Sequence, residues 1–223
     1  MTLRFADRND AGRRLAQALV DMKLTDPVVL ALPRGGVPVA VEVARALGAP
    51  LDLLLVRKIG APDQRELAVA AVGEGPGKGL VLDDETMVYS GVSEAYVECE
   101  AYRERAELAR RRAVYLSGRA PLAVEGKTAV VVDDGIATGT TVRAALQALR
   151  ARHPARVVLA VPVAPTRALS EIKPLVDDLV CLSEPPAFYA IGAHYDDFRQ
   201  VSDDEVVAAL KAAADLAGGV CTP

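Results

Sequence analysis

Two adjacent aspartates, Asp133 and Asp134, follow a run of β-branched apolar residues in the stretch VVVDDGIATGTT at residues 130–141. An ionised carboxylate accepts hydrogen bonds but cannot donate them, so such a pair suits a vicinal diol or a bound Mg²⁺. The glycine- and threonine-rich turn that follows leads into a helical segment. The unpaired first N–H groups of that helix and the positive end of its dipole form a seat for a phosphate. The stretch therefore predicts a site for a ligand with both hydroxyl groups and a phosphate, such as a ribose 5-phosphate.

The residues of this turn and the two acids have separate roles in the prediction. Gly139 lets the backbone approach an anion closely. Nearby hydroxyl groups donate hydrogen bonds without adding charge, and they belong to Thr138, Thr140 and Thr141. Adjacent residues on a strand point to opposite faces, so both carboxylates are free only if the strand ends at Asp133. Gly135 fits such an ending, and the alternative is that one aspartate braces the loop.

Alternating strands and helices must position this stretch. The apolar runs VVLAL, LDLLLV, TAVVVD and RVVLAVPV indicate buried strands. Helical spacing indicates a first helix capped at Asp10, another that ends at Gly48, and a third over TVRAALQALRAR. This order predicts an α/β fold with a Rossmann-like parallel sheet flanked by helices. Ligands bind at the carboxyl ends of the strands in such sheets, which is where residues 130–141 lie.

Some segments depart from this alternation. ELAVAAVGEGPGKGLVLDD predicts a hairpin inserted after the second strand, and Ser93 caps a long helix that follows it. Ser202 and Glu205 form a capping box for a last helix. With no repeat and no long linker, residues 1–223 are predicted to form a single domain. Its core covers about residues 25–165, and a small variable hood covers mainly residues 166–223.

Composition excludes several classes of function. The chain has 26 Lys and Arg residues against 30 Asp and Glu residues, a formal net charge of -4, so it lacks the basic excess that attracts nucleic acid or anionic membranes. The three cysteines are far apart, which suggests neither a zinc site nor a disulfide framework. The charged N-terminus does not resemble a signal peptide, and no apolar run approaches the roughly 18 residues of a membrane span. We therefore expect a cytoplasmic protein.

The stretch at residues 130–141 closely resembles the phosphoribosyl-diphosphate (PRPP) motif of the type I phosphoribosyltransferases. Its apolar residues, two acids, short turn and Thr-Gly-Thr-Thr all match. The rival dinucleotide fingerprint G-x-G-x-x-G is absent, and Lys78 in GEGPGKG lacks the flanking residues of a Walker P-loop. The resemblance implies that Asp133 and Asp134 hold the ribose. It also implies a loop for the 5-phosphate that consists of Ala137, Thr138, Gly139, Thr140 and Thr141.

Two other segments fit the same family more loosely. The resemblance implies that LPRGGVPVA holds the pyrophosphate through Arg34, Gly35 and Gly36. It also implies that VRKIGAPDQRE, at residues 56–66, is a mobile loop that closes over PRPP. In that loop Arg57 and Lys58 would leave a strand end together to neutralise the departing pyrophosphate, and nearby Arg65 could join them.

The resemblance implies transfer of a phosphoribosyl group from PRPP to a nitrogenous base, with Mg²⁺ bound through PRPP and in contact with Asp133 or Asp134. In the family's 6-oxopurine enzymes an aspartate stands where this chain has Ala137, which argues against hypoxanthine or guanine. Alanine is found there in adenine and uracil enzymes, so the acceptor stays open. Candidate residues for stacking on a base lie in an aromatic-rich late segment: Phe188, Tyr189 and Tyr195.

Alternatives remain open for several of these roles. Tyr195 and Phe198 could instead pack the last helix on the core, and the participation of His194, Asp196 and Asp197 is undecided. A regulatory protein that binds PRPP or a nucleotide without turnover is the main alternative function, and a hydrolase on a similar sheet is another. Related enzymes are often dimers, so a homodimer is expected by analogy only.

Overall fold

A five-stranded parallel sheet forms the centre of the protein in a computed structural model that describes residues 3–74, 79–117 and 119–218. The strands along the chain are β1 (Pro27–Ala31), β2 (Leu51–Leu53), β3 (Val56–Ala61), β4 (Gln64–Gly73), β5 (Leu80–Leu82), β6 (Thr128–Val132), β7 (Arg156–Val163) and β8 (Asp178–Ser183). The parallel sheet has the order β2-β1-β6-β7-β8, and a separate antiparallel sheet has the order β3-β4-β5. The predicted α/β class with a parallel sheet is confirmed.

Helices cover both faces of the parallel sheet. They are α1 (Arg8–Val20), α2 (Gly36–Leu47), α3 (Asp84–Ser90), α4 (Glu94–Leu116), α5 (Thr140–Arg150), α6 (Thr166–Ile172) and α7 (Asp203–Gly218). In the fully buried strand β6, Val130 and Val132 pack with α1, α2 and α7, whereas Ala129 and Val131 pack with α5 and α6. A strand buried on both faces carries apolar residues on both, which explains the run of Ala and Val in TAVVV, and the buried Thr128 hydroxyl donates to the Thr25 carbonyl.

Helix termini largely follow the sequence signals. Gly48 ends α2 in the left-handed conformation, and the Ser93 side chain caps α4. The Ser202 hydroxyl accepts from the Glu205 N–H, and the Glu205 carboxylate accepts from the Ser202 N–H, so the predicted capping box is confirmed. The first helix begins earlier than expected, at Arg8, because the Asp7 carboxylate and not Asp10 caps it.

The segment after β2 differs from the expected loop. Residues 56–61 and 64–73 pair as the antiparallel strands β3 and β4, and Pro62 and Asp63 form a tight turn between them. The prediction of a loop at residues 56–66 is therefore wrong, because cross-strand pairing with β4 fixes this stretch as a strand. The predicted hairpin is present as β4 and β5, and its turn at residues 75–78 lies outside the described residues.

Strand β8 and the segment that follows it complete the sheet and pack beside the carboxyl ends of its strands. Strand β8 pairs with β7, so the sheet continues into the segment that the sequence assigns to the hood. Beyond β8, the chain meets the N-terminal segment, where Phe5 pairs with Tyr195 in a β-bridge. None of the helices in the described ranges is long and apolar enough to cross a membrane.

Candidate functional site

The loop between β6 and α5 ends in an uncapped helix N-terminus. Gly139 is the N-cap residue with φ of +77°, a left-handed conformation that favours glycine, and no side chain hydrogen-bonds to the cap. The Thr138 and Thr140 hydroxyl oxygens lie 3.2 Å apart, and Ala137 and Thr138 are exposed. First-turn N–H groups and hydroxyl donors therefore converge at one helix end, which is an arrangement suited to an anion.

Asp133 is partly exposed as a residue, whereas Asp134 is buried. Its carboxylate accepts a hydrogen bond of 2.9 Å from the Asp134 N–H and lies beside Gly36. Burial raises the pKa of Asp133 well above its ordinary value, and the neighbouring Asp134 charge raises it further. A cation or a hydroxyl donor at this carboxylate would offset that cost.

Asp134 is held from several directions. Its carboxylate accepts a 2.7 Å hydrogen bond from the Nε of Arg8, and both side chains are largely buried, with 10% of Asp134 and 11% of Arg8 exposed. Its main-chain carbonyl accepts a 2.6 Å hydrogen bond from the Tyr195 hydroxyl. Burial raises the pKa of Asp134, and the hydrogen bond from Arg8 opposes that rise. Asp134 thus braces the loop, which was one of the alternatives that the sequence left open.

The loop between β1 and α2 packs directly on the two acids. A Cβ at Gly35 would lie 2.0 Å from the Asp134 Oδ2, and one at Gly36 would lie 2.7 Å from the Val132 carbonyl oxygen. The glycines therefore let the two loops touch. The peptide bond between Pro33 and Arg34 is cis, and Arg34 forms a 3.4 Å ion pair with Asp203 at the start of α7.

These two loops line one cleft of about 480 Å³ at the carboxyl edge of the sheet. The residues that face it include five that the sequence singled out and three that it did not assign to the site: Arg34, Gly35, Asp133, Asp134 and Thr141 from the first group, and Arg8, Phe198 and Gln200 from the second. The structure thus brings the predicted pyrophosphate loop, the acid pair and the end of the phosphate loop together. Arg8 has no local sequence signal, because its partner is 126 positions away.

The basic residues of the expected mobile loop do not line this cleft. Arg57 lies in β3 and donates a 2.6 Å hydrogen bond to Glu104 of α4. Lys58 is its neighbour in the same strand, so the two side chains point to opposite faces of the antiparallel sheet. Arg65 lies in β4, beyond the turn. The expectation that Arg57 and Lys58 leave a strand end together is therefore wrong for this conformation.

The aromatic candidates have different surroundings. Tyr195 is only 2% exposed and packs between Phe5 and Phe198, so the expectation that it stacks on an acceptor is corrected to a structural role. Phe188 stacks on His194 with ring centroids 5.5 Å apart, and Tyr189 is 91% exposed. Neither Phe188 nor Tyr189 is among the residues that line the cleft, whereas Phe198 is.

The remaining polar candidates of this segment have structural contacts. His194 is buried, and its pKa is lowered by that burial and by the charge of Arg4. Asp196 pairs with Arg4, and the Asp197 carboxylate accepts from the Arg199 N–H at 3.1 Å. These contacts hold the N-terminal and late segments in place, and they provide no acid or base that faces the cleft.

The family model and the curated relatives that match this chain are both described as phosphoribosyl transferase. The model of the phosphoribosyl transferase domain matches residues 5–197. Two proteins named "Putative phosphoribosyl transferase", from two strains of Mycobacterium tuberculosis, are 47% identical over 206 residues, covering 92% of this chain and 46% of each relative. The chain thus spans about half the length of these curated relatives. The crystal structure of TT1426 from Thermus thermophilus is 48% identical with a TM-score of 0.85, covering 93% of this chain and 98% of that one.

Proposed function

The chain belongs to the phosphoribosyl transferase domain family, and we propose that it transfers the 5-phosphoribosyl group of PRPP to a nitrogenous base with release of pyrophosphate. The observation that carries this proposal is the single cleft shared by Arg34 and Gly35 of one loop and by Asp133 and Thr141 of the other. These residues come from segments about 100 positions apart, and each segment offers a different part of a PRPP site.

In the proposed complex, the 5-phosphate lies at the N-terminus of α5. The first-turn N–H groups and the Thr138 and Thr140 hydroxyls provide donors, and the left-handed conformation of Gly139 forms the turn that leads into the helix. Asp133, which lines the cleft, accepts hydrogen bonds from the ribose hydroxyls. The pyrophosphate lies against Gly35 and Arg34.

The reaction needs positioning and charge compensation but no protein nucleophile. A ring nitrogen of the base attacks C1 of the ribose, and the bond between C1 and the pyrophosphate oxygen breaks with its electron pair leaving on pyrophosphate. The proton of the attacking N–H passes to solvent. Asp133, close to the sugar, stabilises the positive charge that develops on the ribose ring, and Arg34 stabilises the leaving anion.

Mg²⁺ is part of the proposal and arrives bound to the diphosphate. The Asp133 carboxylate supplies the hard oxygen ligands that Mg²⁺ prefers. Within residues 3–74, 79–117 and 119–218, no group of three or more His, Cys, Asp or Glu side chains could hold a metal ion, so most ligands would come from the substrate and water. When bound, the metal offsets negative charge on the departing pyrophosphate.

One observation favours a second candidate, a regulatory protein that binds PRPP or a nucleotide without turning it over. The basic residues expected to close over the leaving group lie on the ribbon of β3 and β4, where Arg57 is paired with Glu104. A sensor needs the phosphate and diol sites but not these charges. Binding without pyrophosphate release would support this candidate.

The test incubates the protein with PRPP, Mg²⁺ and a panel of purine and pyrimidine bases, and it measures pyrophosphate release. We expect release with one base class and its loss in Asp133→Asn. Thr138→Val should weaken PRPP binding in calorimetry by about 1–3 kcal/mol, the effect of losing a hydrogen bond to a charged group. The matched control is Thr166→Val, which alters an exposed residue at the start of α6, outside the cleft. Absence of both PRPP binding and pyrophosphate release in the wild type would refute the proposal.

A further inference from the structure

Arg8 at the start of α1 makes three contacts at the wall of the cleft. Its Nε donates to Asp134, its Nη1 donates at 2.9 Å to the Arg199 carbonyl, and its guanidinium lies 3.9 Å above the ring centroid of Phe198. The side chain is only 11% exposed. Its guanidinium is thus paired with one carboxylate and stacked on one aromatic ring, unlike a solvent-exposed arginine that is available to bind an anion.

Asp134 is fixed at both its side chain and its main chain. Arg8 holds the carboxylate, the Tyr195 hydroxyl holds the carbonyl, and the N–H donates to Asp133. The same carboxylate fills the space where Gly35 lacks a side chain. Movement of Asp134 would therefore displace both the Asp133 carboxylate that it hydrogen-bonds and the loop that carries Gly35.

We propose that Arg8 is a positioning residue, which locks Asp134 into the junction of the two loops and so leaves Asp133 as the acid that meets the ribose. This inference rests on the proposed function, because it assigns unequal roles to the two acids of a PRPP site. Arg8 acts through Asp134 and Asp133 and has no contact with the reacting atoms.

The contacts of Arg8 require more than a positive charge. Its planar guanidinium combines a hydrogen bond to a carboxylate, a second donor within reach of a carbonyl, and a stacking face for Phe198. Lysine can supply the charge and one hydrogen bond to Asp134, but it cannot stack or reach both acceptors in the same way. Methionine keeps apolar packing on Phe198 and removes the charge and both donors.

The experiment measures kcat and KM for PRPP in Arg8→Met, Arg8→Lys and the control Arg14→Met. Arg14 lies on the same helix, pairs with Asp10 and is 5.5 Å from the Phe5 ring centroid, so it copies the contact types of Arg8 outside the cleft. We expect Arg8→Met to raise KM for PRPP by about 10-fold or more, the size of one lost hydrogen bond to a charged group. KM for the base should stay within about 2-fold of the wild type, since Arg8 acts on the PRPP side.

Arg8→Lys should recover part of the lost PRPP affinity, and Arg14→Met should match the wild type. Circular dichroism and thermal melting check that each variant is folded. If Arg8→Met does not fold, Arg8→Lys takes its place, and a KM for PRPP several-fold above the wild-type value in folded Arg8→Lys supports the inference. The inference is overturned if folded Arg8→Met has the wild-type KM for PRPP. If Arg8→Lys is the only one of the two that folds, a wild-type KM for PRPP in Arg8→Lys overturns the inference. So does an equal loss in Arg14→Met. Absence of PRPP binding by the wild type is a different result, because it overturns the proposed function itself.

Discussion

Replacing Gly35 by alanine should destabilise the junction of the two loops through one steric contact. The backbone at Gly35 has φ of -60° and ψ of -36°, a conformation that alanine adopts without strain. The added Cβ would lie 2.0 Å from the Asp134 Oδ2 and 2.5 Å from its Cγ. Because those are side-chain atoms, the clash can be relieved only if Asp134 or the Gly35 loop moves.

The magnitude follows from what holds Asp134. Moving its carboxylate strains or breaks the 2.7 Å hydrogen bond to Arg8 in a largely buried place. Inserting a methyl group into a well-packed region costs about 1–3 kcal/mol when the surroundings adjust. Breaking a buried ion pair so that one charge stays buried without its partner would cost about 3–5 kcal/mol. We expect Gly35→Ala to lower the free energy of unfolding by about 1–3 kcal/mol, since partial adjustment is cheaper than separation.

Urea unfolding of a double-mutant cycle with Asp134→Ala tests this assignment. Asp134→Ala removes the clashing atoms, so Gly35→Ala should cost little in that background, and the coupling energy should be about 1–3 kcal/mol. The control is Gly91→Ala, at a φ of +65° with no atom near the added Cβ. It should cost about 1–2 kcal/mol through backbone strain alone and show no coupling to Asp134. If the free-energy changes of Gly35→Ala and Asp134→Ala add, the steric explanation is refuted.

Two further predictions concern a buried ionic cluster that lies outside the cleft. Asp52 is fully buried and its Oδ2 lies 2.9 Å from Arg112 Nη2, so Asp52→Ala should cost about 3–5 kcal/mol in urea unfolding, because it leaves the buried Arg112 guanidinium with Glu74 as its remaining carboxylate partner. Glu171→Ala, which breaks an exposed helical pair, should cost under about 1 kcal/mol, and equal losses would contradict this contrast. Burial raises the pKa of Glu74 from 4.5 to about 7, so between these values the folded state binds more protons than the unfolded state. Stability should fall as pH rises through that window, and Glu74→Gln should reduce the fall; unchanged pH dependence in the variant would count against it.

Local sequence signals predicted the parts of the site that depend on consecutive residues. The strand that ends before Asp133, the left-handed Gly139 and the helix that begins at Thr140 all arise within a dozen positions. Strand burial, turn geometry and helix capping act over that range, so residue types alone indicate the outcome.

Contacts between distant segments were not predictable in the same way. Arg8 meets Asp134 because α1 begins one turn earlier than its Asp10 suggested, and because the sheet brings both residues to one edge. Arg57 follows β2 so closely that the local sequence indicated the end of β2 and gave no sign that a second strand, β3, begins there. Its pairing with β4 is set by residues that follow it, including the tight turn at Pro62 and Asp63.

The two arginines of the cleft illustrate how burial separates a structural charge from one available to a ligand. Arg34 is paired with Asp203 at 3.4 Å, and the two side chains are 37% and 55% exposed. Such exposed pairs are worth about 0–1 kcal/mol, so an incoming pyrophosphate can replace Asp203 at little cost. Arg8 is paired with Asp134 in a place where separating the charges would cost about 3–5 kcal/mol. We therefore expect Asp203→Asn to leave PRPP binding unchanged or tighter, whereas any change at Arg8 should weaken it.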